Sequence, residues 1–432
     1  MSEVPRDSAS EDRPNWRGIF GWCLYDWANS PFPAIVMTFV IPAYFTDAVA
    51  ADPAAATSQW GFMTSMSALA IAVCSPLLGA IADKGRGRRP WLAGCTALVI
   101  VTSASLWFVR PDAADSLLLL WLVAFGIIGF ELGMVFYNAM LPGLAPARLV
   151  GRVSGWAWGL GYFGGLAGLV VVLFGIVLPD PAPFGLDHAA AEHVRITGPV
   201  VALWLALFCV PVFLWTPDRT AGGLAAGAAI VAGVRTLVRT LVVLPRHGRL
   251  WRYLLAHMIY ADGINTLFAF GGLYAAGTFG MPVAEVIAFG LLLNTTAGLG
   301  AFAFAWVDDW IGARPTILIG LIALTVIGVP LLLVETKLAF WILGGALGVF
   351  FGPVQAASRS LMARIAPPGL ETEMFGLYAL SGKVTAFAGP LLVGAVTAAT
   401  GSQRWGLAVV LPFLAVGGLL LLTVRGERRE AF

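Results

Sequence analysis

Residues 116–140, with the sequence SLLLLWLVAFGIIGFELGMVFYNAM, decide the fold class, because 25 positions contain one charged residue, Glu131. The hydrocarbon core of a bilayer is about 30 Å thick, and about 20 predominantly apolar residues in a helix cross it. A helix also satisfies every backbone polar group within one segment, which hydrocarbon requires. The segment therefore predicts a transmembrane helix.

The same pattern recurs along the whole chain. Of its 432 residues, 59% are hydrophobic and 12% are charged, whereas soluble proteins have about 45–50% apolar and about 25% charged residues. This composition excludes an ordinary soluble domain and a disordered chain. Twelve segments are predicted to cross the membrane, namely 18–45, 58–81, 91–109, 116–140, 153–178, 199–216, 253–277, 284–307, 315–334, 338–362, 374–398 and 405–424. We therefore predict an all-α polytopic membrane protein with two bundles of six transmembrane helices.

The basic residues predict the orientation of these helices. If the N-terminus is cytoplasmic, 21 of the 26 basic residues fall in or beside cytoplasmic loops, and four fall in outer loops. Cytoplasmic loops carry the excess of Lys and Arg in membrane proteins. Both termini are therefore predicted to be cytoplasmic.

The spans divide the chain into five regions. They are a cytoplasmic tail (1–17), a six-helix bundle (18–216), a cytoplasmic linker (217–252), a second six-helix bundle (253–424) and a cytoplasmic tail (425–432). In the linker, Arg235 and Arg239 lie one helical turn apart within a weakly apolar stretch. Such a pattern predicts an interfacial helix on the cytoplasmic leaflet, since a thirteenth span would break the alternation of charge.

The two bundles share a polar motif in their first helices. Residues 26–32 and residues 262–268 both read Asp-x-x-Asn-[Ser/Thr]-x-Phe. Because both copies lie at the same place in a six-helix unit, we interpret them as evidence of two related halves.

The motif places a carboxylate and an amide on one helical face, since residues three apart are neighbours on a helix. A charged residue at the centre of a membrane helix costs roughly 2.5–3.5 kcal/mol on insertion scales. We therefore expect Asp26 with Asn29, and Asp262 with Asn265, to face each other across the bundle interface as part of a central polar site. The alternative is that each Asp ties neighbouring helices together, near the helix-breaking pair Pro31 and Pro33 in the first bundle.

Other polar residues lie within predicted spans. A buried Lys383 requires a carboxylate partner, and Asp26, Glu131 and Asp262 are the candidates. A desolvated carboxyl group can also exchange a proton, which is the physical basis for expecting proton coupling. The candidate substrate-binding or coupling residues are Tyr25, Asp26, Asn29, Glu131, Asn138, Asp262, Asn265, Gln355, Arg359 and Lys383.

Several chemistries have no sequence signature. The chain contains no metal-ligand spacing, nucleophile elbow, phosphate-binding loop or nucleotide motif, and the four cysteines lie in apolar runs. We therefore expect no enzyme activity, no metal or other cofactor, no ATP and no nucleic-acid partner. His257, in the seventh span, could relay protons or serve as a hydrogen-bonded packing residue.

The loop after the second span resembles a known signature. Residues 79–90 read GAIADKGRGRRP and resemble the loop between helices 2 and 3 of the major facilitator superfamily, Gly-x-x-x-Asp-Arg/Lys-x-Gly-Arg-Arg, with one residue inserted. Residues 309–314, DWIGAR, are a decayed second copy. The resemblance implies a cytoplasmic gate that contains Gly79, Asp83, Lys84, Arg88, Arg89, Asp309 and Arg314.

A narrower resemblance is to the vacuole-effluxer-like family of that superfamily. It rests on YDWANS at 25–30, NAMLP at 138–142, GRVSG at 151–155, DGIN at 262–265, QAASRSLMAR at 355–364 and FGLYALSGK at 375–383. Fungal members are associated with release of amino acids from the vacuole. The resemblance does not extend to the antiporter-type Gly-Pro pattern of the fifth helix, because Leu160 stands where Pro would be, and this leaves the direction of transport open.

The resemblance implies a secondary active transporter in the bacterial inner membrane. We expect a monomer that moves a small solute, most simply an amino acid or related zwitterion, by alternating access, with proton coupling and in the direction of efflux. The alternatives are an exporter of a lipophilic drug, organic acid or lipid on the same fold, and a membrane scaffold or sensor without transport.

Overall fold

The computed structural model describes residues 14–85, 87–218, 223–246 and 248–424, apart from the side chain of Val283. Residues 1–13 and 425–432, which include most of the two predicted tails, lie outside the described residues. The described ranges contain thirteen long helical segments: α1 Trp16–Val49, α2 Pro53–Lys84, α3 Arg89–Phe108, α4 Ala113–Leu144, α5 Ala147–Val177, α6 Glu192–Trp215, α7 Ala226–Arg246, α8 Gly248–Phe279, α9 Val283–Ile311, α10 Ala313–Leu333, α11 Lys337–Ile365, α12 Glu371–Thr400 and α13 Gln403–Leu422.

The predicted fold class is confirmed, with one difference in the set of spans. Within the described residues, 12 helices are long and apolar enough to cross a membrane. They include the linker helix α7 and omit α8, which has 32 residues but contains His257, Asp262 and Asn265. Length and composition alone therefore do not identify the seventh crossing.

The positions of the two ends of α7 show whether α7 or α8 is the seventh helix to run from one end of the molecule to the other. Just before α7, the backbone N–H of Leu224 donates to the carbonyl of Lys84 at the end of α2 (3.4 Å). Just after α7, the guanidinium of Arg252 on α8 donates to the carbonyl of Thr423 after the end of α13 (3.2 Å). Helices α2 and α13 both finish at the end of the molecule where α1 begins. Both ends of α7 thus lie at that same end, and α8 is the seventh crossing.

Helix α1 is continuous but irregular. The prolines at 31 and 33 have no N–H, so the carbonyls one turn earlier lose their helical partners. The indole of Trp204 donates to the carbonyl of Trp27 (3.3 Å), and the hydroxyl of Ser30 donates to the carbonyl of Asp26 (2.6 Å). The chain continues as a π-helix over Phe32–Phe39. The predicted helix break is therefore a widened turn in which the Trp27 carbonyl, one turn before Pro31, has a new donor.

The two bundles, α1–α6 and α8–α13, meet through small residues at one end. A Cβ atom on Gly155 of α5 would lie 2.6 Å from the Cβ atom of Ala305 on α9, and one on Gly376 of α12 would lie 2.4 Å from the carbonyl of Ser75 on α2. Glycine at these positions lets the helix backbones approach closely. We call the end where α2 and α9 finish, and where α5 and α12 begin, the latch end.

Helix α12 is interrupted in the middle of its length. Its first part ends at Lys383 and its second part runs over Ala388–Thr400. The turn between them is fixed to α8, because the hydroxyl of Thr385 donates to the carbonyl of Met258 (3.2 Å). The interruption places Lys383 at the end of a short helix rather than within a long one.

Candidate substrate site and gate

A buried ion pair joins the two bundles at their centre. Arg359 Nη1 of α11 lies 2.9 Å from Asp26 Oδ2 of α1, and the two side chains are 1% and 7% exposed. Arg359 Nε also donates to the Ser154 hydroxyl (2.9 Å), and its Nη2 donates to the Ser154 carbonyl (2.7 Å). A side chain from the second bundle is therefore held almost entirely by groups of the first.

Aromatic rings enclose the Arg359 guanidinium. Its central carbon lies 4.8 Å from the ring centre of Trp22, 5.5 Å from that of Trp158 and 5.7 Å from that of Tyr137. Cation–π attraction over such rings is strongest when the cation is desolvated. The charge of Arg359 is thus balanced by Asp26 and by rings, and neither member of the pair is open to a solute in this conformation.

A second ion pair between the bundles is partly open. Lys383 Nζ at the interruption of α12 donates to Glu131 Oε1 of α4 at 2.7 Å, with side chains 30% and 19% exposed. Of the three carboxylates that the sequence allowed as partners for Lys383, the structure selects Glu131. This pair places one anion and one cation side by side where α4 of the first bundle meets α12 of the second.

The prediction that the two repeated motifs face each other is wrong. Asp262 Oδ2 accepts a hydrogen bond from the backbone N–H of Gly389 at the start of the second part of α12 (3.2 Å), within its own bundle. Asn29 Nδ2 donates to the sulfur of Met134 on α4 (3.2 Å), and the side chain of Asn265 is exposed. The interruption of α12 frees backbone N–H groups, and a carboxylate at a helix N-terminus satisfies them. Asp262 therefore ties neighbouring helices of its own bundle together, which is the alternative that the sequence left open.

The remaining predicted site residues divide into two groups. Asn138 Oδ1 accepts from Arg359 Nη1 (3.3 Å), and Gln355 Oε1 accepts from the hydroxyl of Tyr162 on α5 (2.5 Å), so both contribute to contacts between the bundles. Tyr25 is buried and its hydroxyl pairs with that of Thr96 on α3 (2.8 Å). Tyr25 thus contacts its own bundle rather than the interface.

The first gate forms where α2 ends. Asp83 Oδ1 accepts from the backbone N–H (3.2 Å) and the hydroxyl (2.6 Å) of Thr372, and Asp83 Oδ2 accepts from the backbone N–H of Glu373 (2.9 Å). Arg88 Nη2 is 2.8 Å from Glu371 Oε2 and 3.4 Å from Asp83 Oδ1. A carboxylate of the first bundle therefore caps the N-terminus of α12 in the second.

A matching gate forms where α9 ends. Asp309 accepts from the backbone N–H groups of Gly151 (2.8 Å) and Arg152 (3.2 Å) and from Arg152 Nε (2.7 Å), in the first turns of α5. Arg364 Nη2 of α11 lies 2.9 Å from Asp308 and 3.3 Å from Asp309. A carboxylate of the second bundle thus caps a helix of the first, which is the arrangement of the first gate with the bundles exchanged.

Three predicted gate residues have other contacts. Arg314 donates to the carbonyls of Leu421 (3.2 Å) and Leu422 (2.7 Å) at the end of α13, so these contacts lie outside the gate. The backbone N–H of Arg89 donates to Asp218 (2.9 Å), and Lys84 contacts the linker through its carbonyl. In the second copy, the pairing role that Arg88 has in the first falls to Arg152 and Arg364, because the loop after Asp309 is shorter.

Sequence reasoning missed the partners that complete these sites. Only Ser154 had a sequence signal, since it lies in the GRVSG run that supported the family resemblance. Glu371 and Thr372, at the start of α12, had none.

His257 has contacts typical of a packing residue. Its Nδ1 pairs with the hydroxyl of Ser381 (2.8 Å), and its ring stacks on Tyr378 with ring centres 4.0 Å apart. Among the described residues, no group of three or more His, Cys, Asp or Glu side chains could hold a metal ion.

An apolar cavity lies between α2 and α4, toward the end opposite the latch. Its volume is about 690 Å³ and its walls include Phe62, Met66, Trp121 and Ile128. Ile128 precedes Glu131 by three residues and thus lies on the same face of α4. The cavity therefore approaches the Glu131–Lys383 pair from the end opposite the latch.

The close contact at Gly79 leads to a stability prediction. A Cβ atom there would lie 2.5 Å from the carbonyl of Thr372, whereas one on Gly61 of the same helix meets nothing within 4 Å. We expect Gly79→Ala to lower the free energy of unfolding by about 1–3 kcal/mol, as overpacking does, and to lower the thermal midpoint in detergent. Gly61→Ala is the matched control, since both changes add the same helix propensity. Equal midpoints for the two variants would contradict the close approach.

The structural comparison identifies the fold. The human organic anion transporter MFSD10 (TETRAN) superposes with a TM-score of 0.75 at 16% identity, over 95% of this chain and 100% of that one. An MFS-type transporter of Bacillus subtilis (strain 168), YxiO, whose activity is uncharacterized, is 25% identical over 409 residues, which are 94% of each chain. The protein thus has the fold of the major facilitator superfamily (MFS) of transporters.

The family follows from the sequence model. The model described as "Vacuole effluxer Atg22 like" matches residues 49–431, so the chain belongs to that family. Autophagy-related protein 22 of Coccidioides immitis (strain RS) is 26% identical over 314 residues, which are 66% of this chain and 51% of the fungal protein. The chain therefore spans about half the length of this fungal relative.

Proposed function

We propose that the protein is a secondary active transporter of small zwitterions, with amino acids as the first class to test, and that it works by proton-coupled efflux. The observation that supports this most directly is the partly exposed Glu131–Lys383 pair at 2.7 Å between the bundles. The family description supports efflux, and the network of polar contacts at the latch end supports alternating access.

The chemistry of a zwitterion fits this pair. An α-ammonium group would bind the Glu131 carboxylate and an α-carboxylate would bind the Lys383 ammonium group. Separating these two partly buried charges leaves each without a partner, which is unfavourable, unless a solute supplies both opposite charges at once. A solute with only one charge would leave the other protein group unpaired, so the pair would select zwitterions.

Glu131 is the carboxylate best suited to exchange a proton with the transport pathway. Asp26 is held by Arg359 in a buried pair, and Asp262 caps the second part of α12. Glu131 is more exposed than Asp26 and lies next to the proposed substrate position. A proton and the α-ammonium group of a zwitterion would compete for the Glu131 carboxylate, so proton entry would be coupled to solute exit.

The latch contacts support movement of the two bundles as units. Asp83 and Asp309 each join one bundle to the other at the same end, and these bonds must break for that end to open. The predicted cytoplasmic position of the latch end would make the described conformation closed to the cytoplasm. A monomer in a bacterial inner membrane, with both termini in the cytoplasm, remains part of this proposal.

A second cargo class is favoured by the apolar cavity between α2 and α4. Its walls are mostly apolar, and a cavity of this kind suits a lipophilic drug, an organic acid or a lipid. Such a cargo would depend on the cavity residues and would not need both members of the charge pair.

The test is transport into proteoliposomes with a pH-sensitive dye inside. Purified protein is challenged with amino acids, organic acids and lipophilic cations, and proton movement and solute uptake are both recorded. We expect Glu131→Gln with Lys383→Gln to lower amino-acid transport by more than 10-fold. The two glutamines leave no unpaired charge in the fold, but they offer no charges to a zwitterion.

The chain supplies a matched control pair. Glu285 and Lys337 form an exposed ion pair at 3.0 Å at the end opposite the latch, and we expect Glu285→Gln with Lys337→Gln to transport normally. Transport of an amino acid without proton movement would retain the cargo and refute the coupling. Amino-acid transport that survives neutralisation of Glu131 and Lys383 would refute the proposed site, and transport of lipophilic solutes alone would favour the second cargo class.

A further inference from the structure

Helix α7 presents three different faces. One face packs on the latch end of α2, where Ala229, Gly233 and Thr240 are buried. A Cβ atom on Gly233 would lie 2.8 Å from the Cα atom of Ile81. The linker helix is therefore seated on the helix that ends in the gate residue Asp83.

The second face is apolar and exposed. Val231, Val238 and Val242 are 62%, 57% and 65% exposed, and Ile230, Val234 and Leu241 are 49%, 40% and 48% exposed. Their spacing of three and four residues places them along one side of the helix. This side has no protein neighbour in the part of the chain that the structure describes.

The third face is basic. Arg235, Arg239 and Arg246 are exposed and fall along the edge of the apolar face, since they lie four and seven residues apart. Residues 223–246 contain no Asp or Glu. The positive charge along this edge is therefore not neutralised within the helix.

The ends of α7 restrict where this helix can lie. Both ends are at the latch end of the molecule, as the contacts of Leu224 with Lys84 and of Arg252 with Thr423 require. A helix with both ends on one side of a bundle does not cross the bilayer, although its length and composition would allow it. An exposed apolar face at this level meets lipid if the helix lies along the membrane surface.

We propose that α7 binds the headgroups of anionic phospholipids with Arg235, Arg239 and Arg246 while its apolar face enters the same leaflet. An acidic protein segment would pair with the arginines but would leave the apolar face in water. A neutral lipid would cover the apolar face but would not use the arginines. An anionic phospholipid satisfies both faces at once. This proposal goes beyond the proposed transport and does not depend on the cargo.

The test uses the full chain in nanodiscs of phosphatidylcholine with increasing phosphatidylglycerol. Hydrogen exchange of residues 226–246 is followed by mass spectrometry, and the phosphatidylglycerol fraction that gives half of the maximal protection is measured. We expect Arg235→Gln with Arg239→Gln to weaken the apparent lipid affinity by about 30-fold, since each basic residue near an anionic surface contributes a factor of about 5. A midpoint above about 3% phosphatidylglycerol would then become unreachable, so the variant should stay below half of the maximal protection even in pure phosphatidylglycerol. High salt should also weaken the apparent affinity for phosphatidylglycerol, because it screens the attraction between the arginines and the headgroups.

Two further variants keep the test decisive. Arg235→Lys with Arg239→Lys retains the charge and should keep most of the protection by phosphatidylglycerol. Arg110→Gln removes an exposed arginine outside α7 and should change nothing. Protection of α7 that is the same in phosphatidylcholine alone, or that the two glutamines leave unchanged, would overturn the proposal. Phosphatidylserine should replace phosphatidylglycerol, and failure to do so would also overturn recognition by charge.

Discussion

Arg359→Met is expected to lower the free energy of unfolding by about 3–5 kcal/mol, because it leaves the Asp26 carboxylate buried without its cation. The pair at 2.9 Å has almost no contact with solvent. The same change removes the bonds from Arg359 to Ser154 and Asn138. The measurement is chemical or thermal unfolding in detergent, followed by the fluorescence of the 16 tryptophans.

The double variant separates the lost pair from the lost packing. Asp26→Asn with Arg359→Met leaves no buried unpaired charge, so we expect it to be more stable than Arg359→Met alone. Arg404→Met is the control, since Arg404 donates to backbone carbonyls of residues 332–334 and to no carboxylate in the described contacts. A double variant as unstable as Arg359→Met would contradict the importance of the charge pair.

Asp83→Ala is expected to open the latch end. The carboxylate accepts bonds from Thr372, Glu373 and Arg88, and hydrogen bonds to a charged group contribute about 1.5–3 kcal/mol each. Loss of even 3 kcal/mol would change the ratio of closed to open latch by more than about 100-fold. The first turn of α12 would also lose its cap, which adds a smaller effect.

Spin labels report this equilibrium directly. Ala147 at the start of α5 and Pro368 before α12 are exposed at the latch end and belong to different bundles, so a label on each measures the opening. We expect Asp83→Ala to lengthen this distance in most molecules. Asp52 caps its own helix α2 at the opposite end through Ala55 (2.8 Å), and Asp52→Ala should leave the distance unchanged. Identical distance distributions in the two variants would show that Asp83 does not hold the latch.

The sequence predicted the features that depend on local composition. Apolar length gave the spans, the Asp-x-x-Asn repeat gave the two halves, and a lysine in a span required a carboxylate partner. The choice of Glu131 for Lys383 depends on how α4 and α12 approach each other across the interface. Such a contact joins residues far apart in the chain, so helical periodicity cannot select it.

The misplaced Asp262 has an identifiable cause. Pro390 has no N–H, and its ring would clash with the carbonyl of Ala386 one turn earlier. Helix α12 is therefore interrupted before Ala388. The backbone N–H of Gly389 has no partner within the helix and donates a hydrogen bond to the Asp262 carboxylate. The Gly389-Pro390 pair was the available signal. Repeated motifs thus predicted equivalent positions, but a proline in one half gave the second Asp a different role.

The two caps at the latch end imply a particular history for the fold. Asp83 of the first bundle caps α12 of the second, and Asp309 of the second caps α5 of the first. Each bundle thus supplies one capping carboxylate and one helix N-terminus that is capped. Such a contact is self-complementary, like the interface of a two-fold symmetric homodimer. A single six-helix ancestor could therefore have paired with its own copy through this contact before duplication joined the two in one chain. The central pair of Asp26 with Arg359 lacks such a counterpart at Asp262, so the two copies have diverged at the centre and kept their symmetry at the gate.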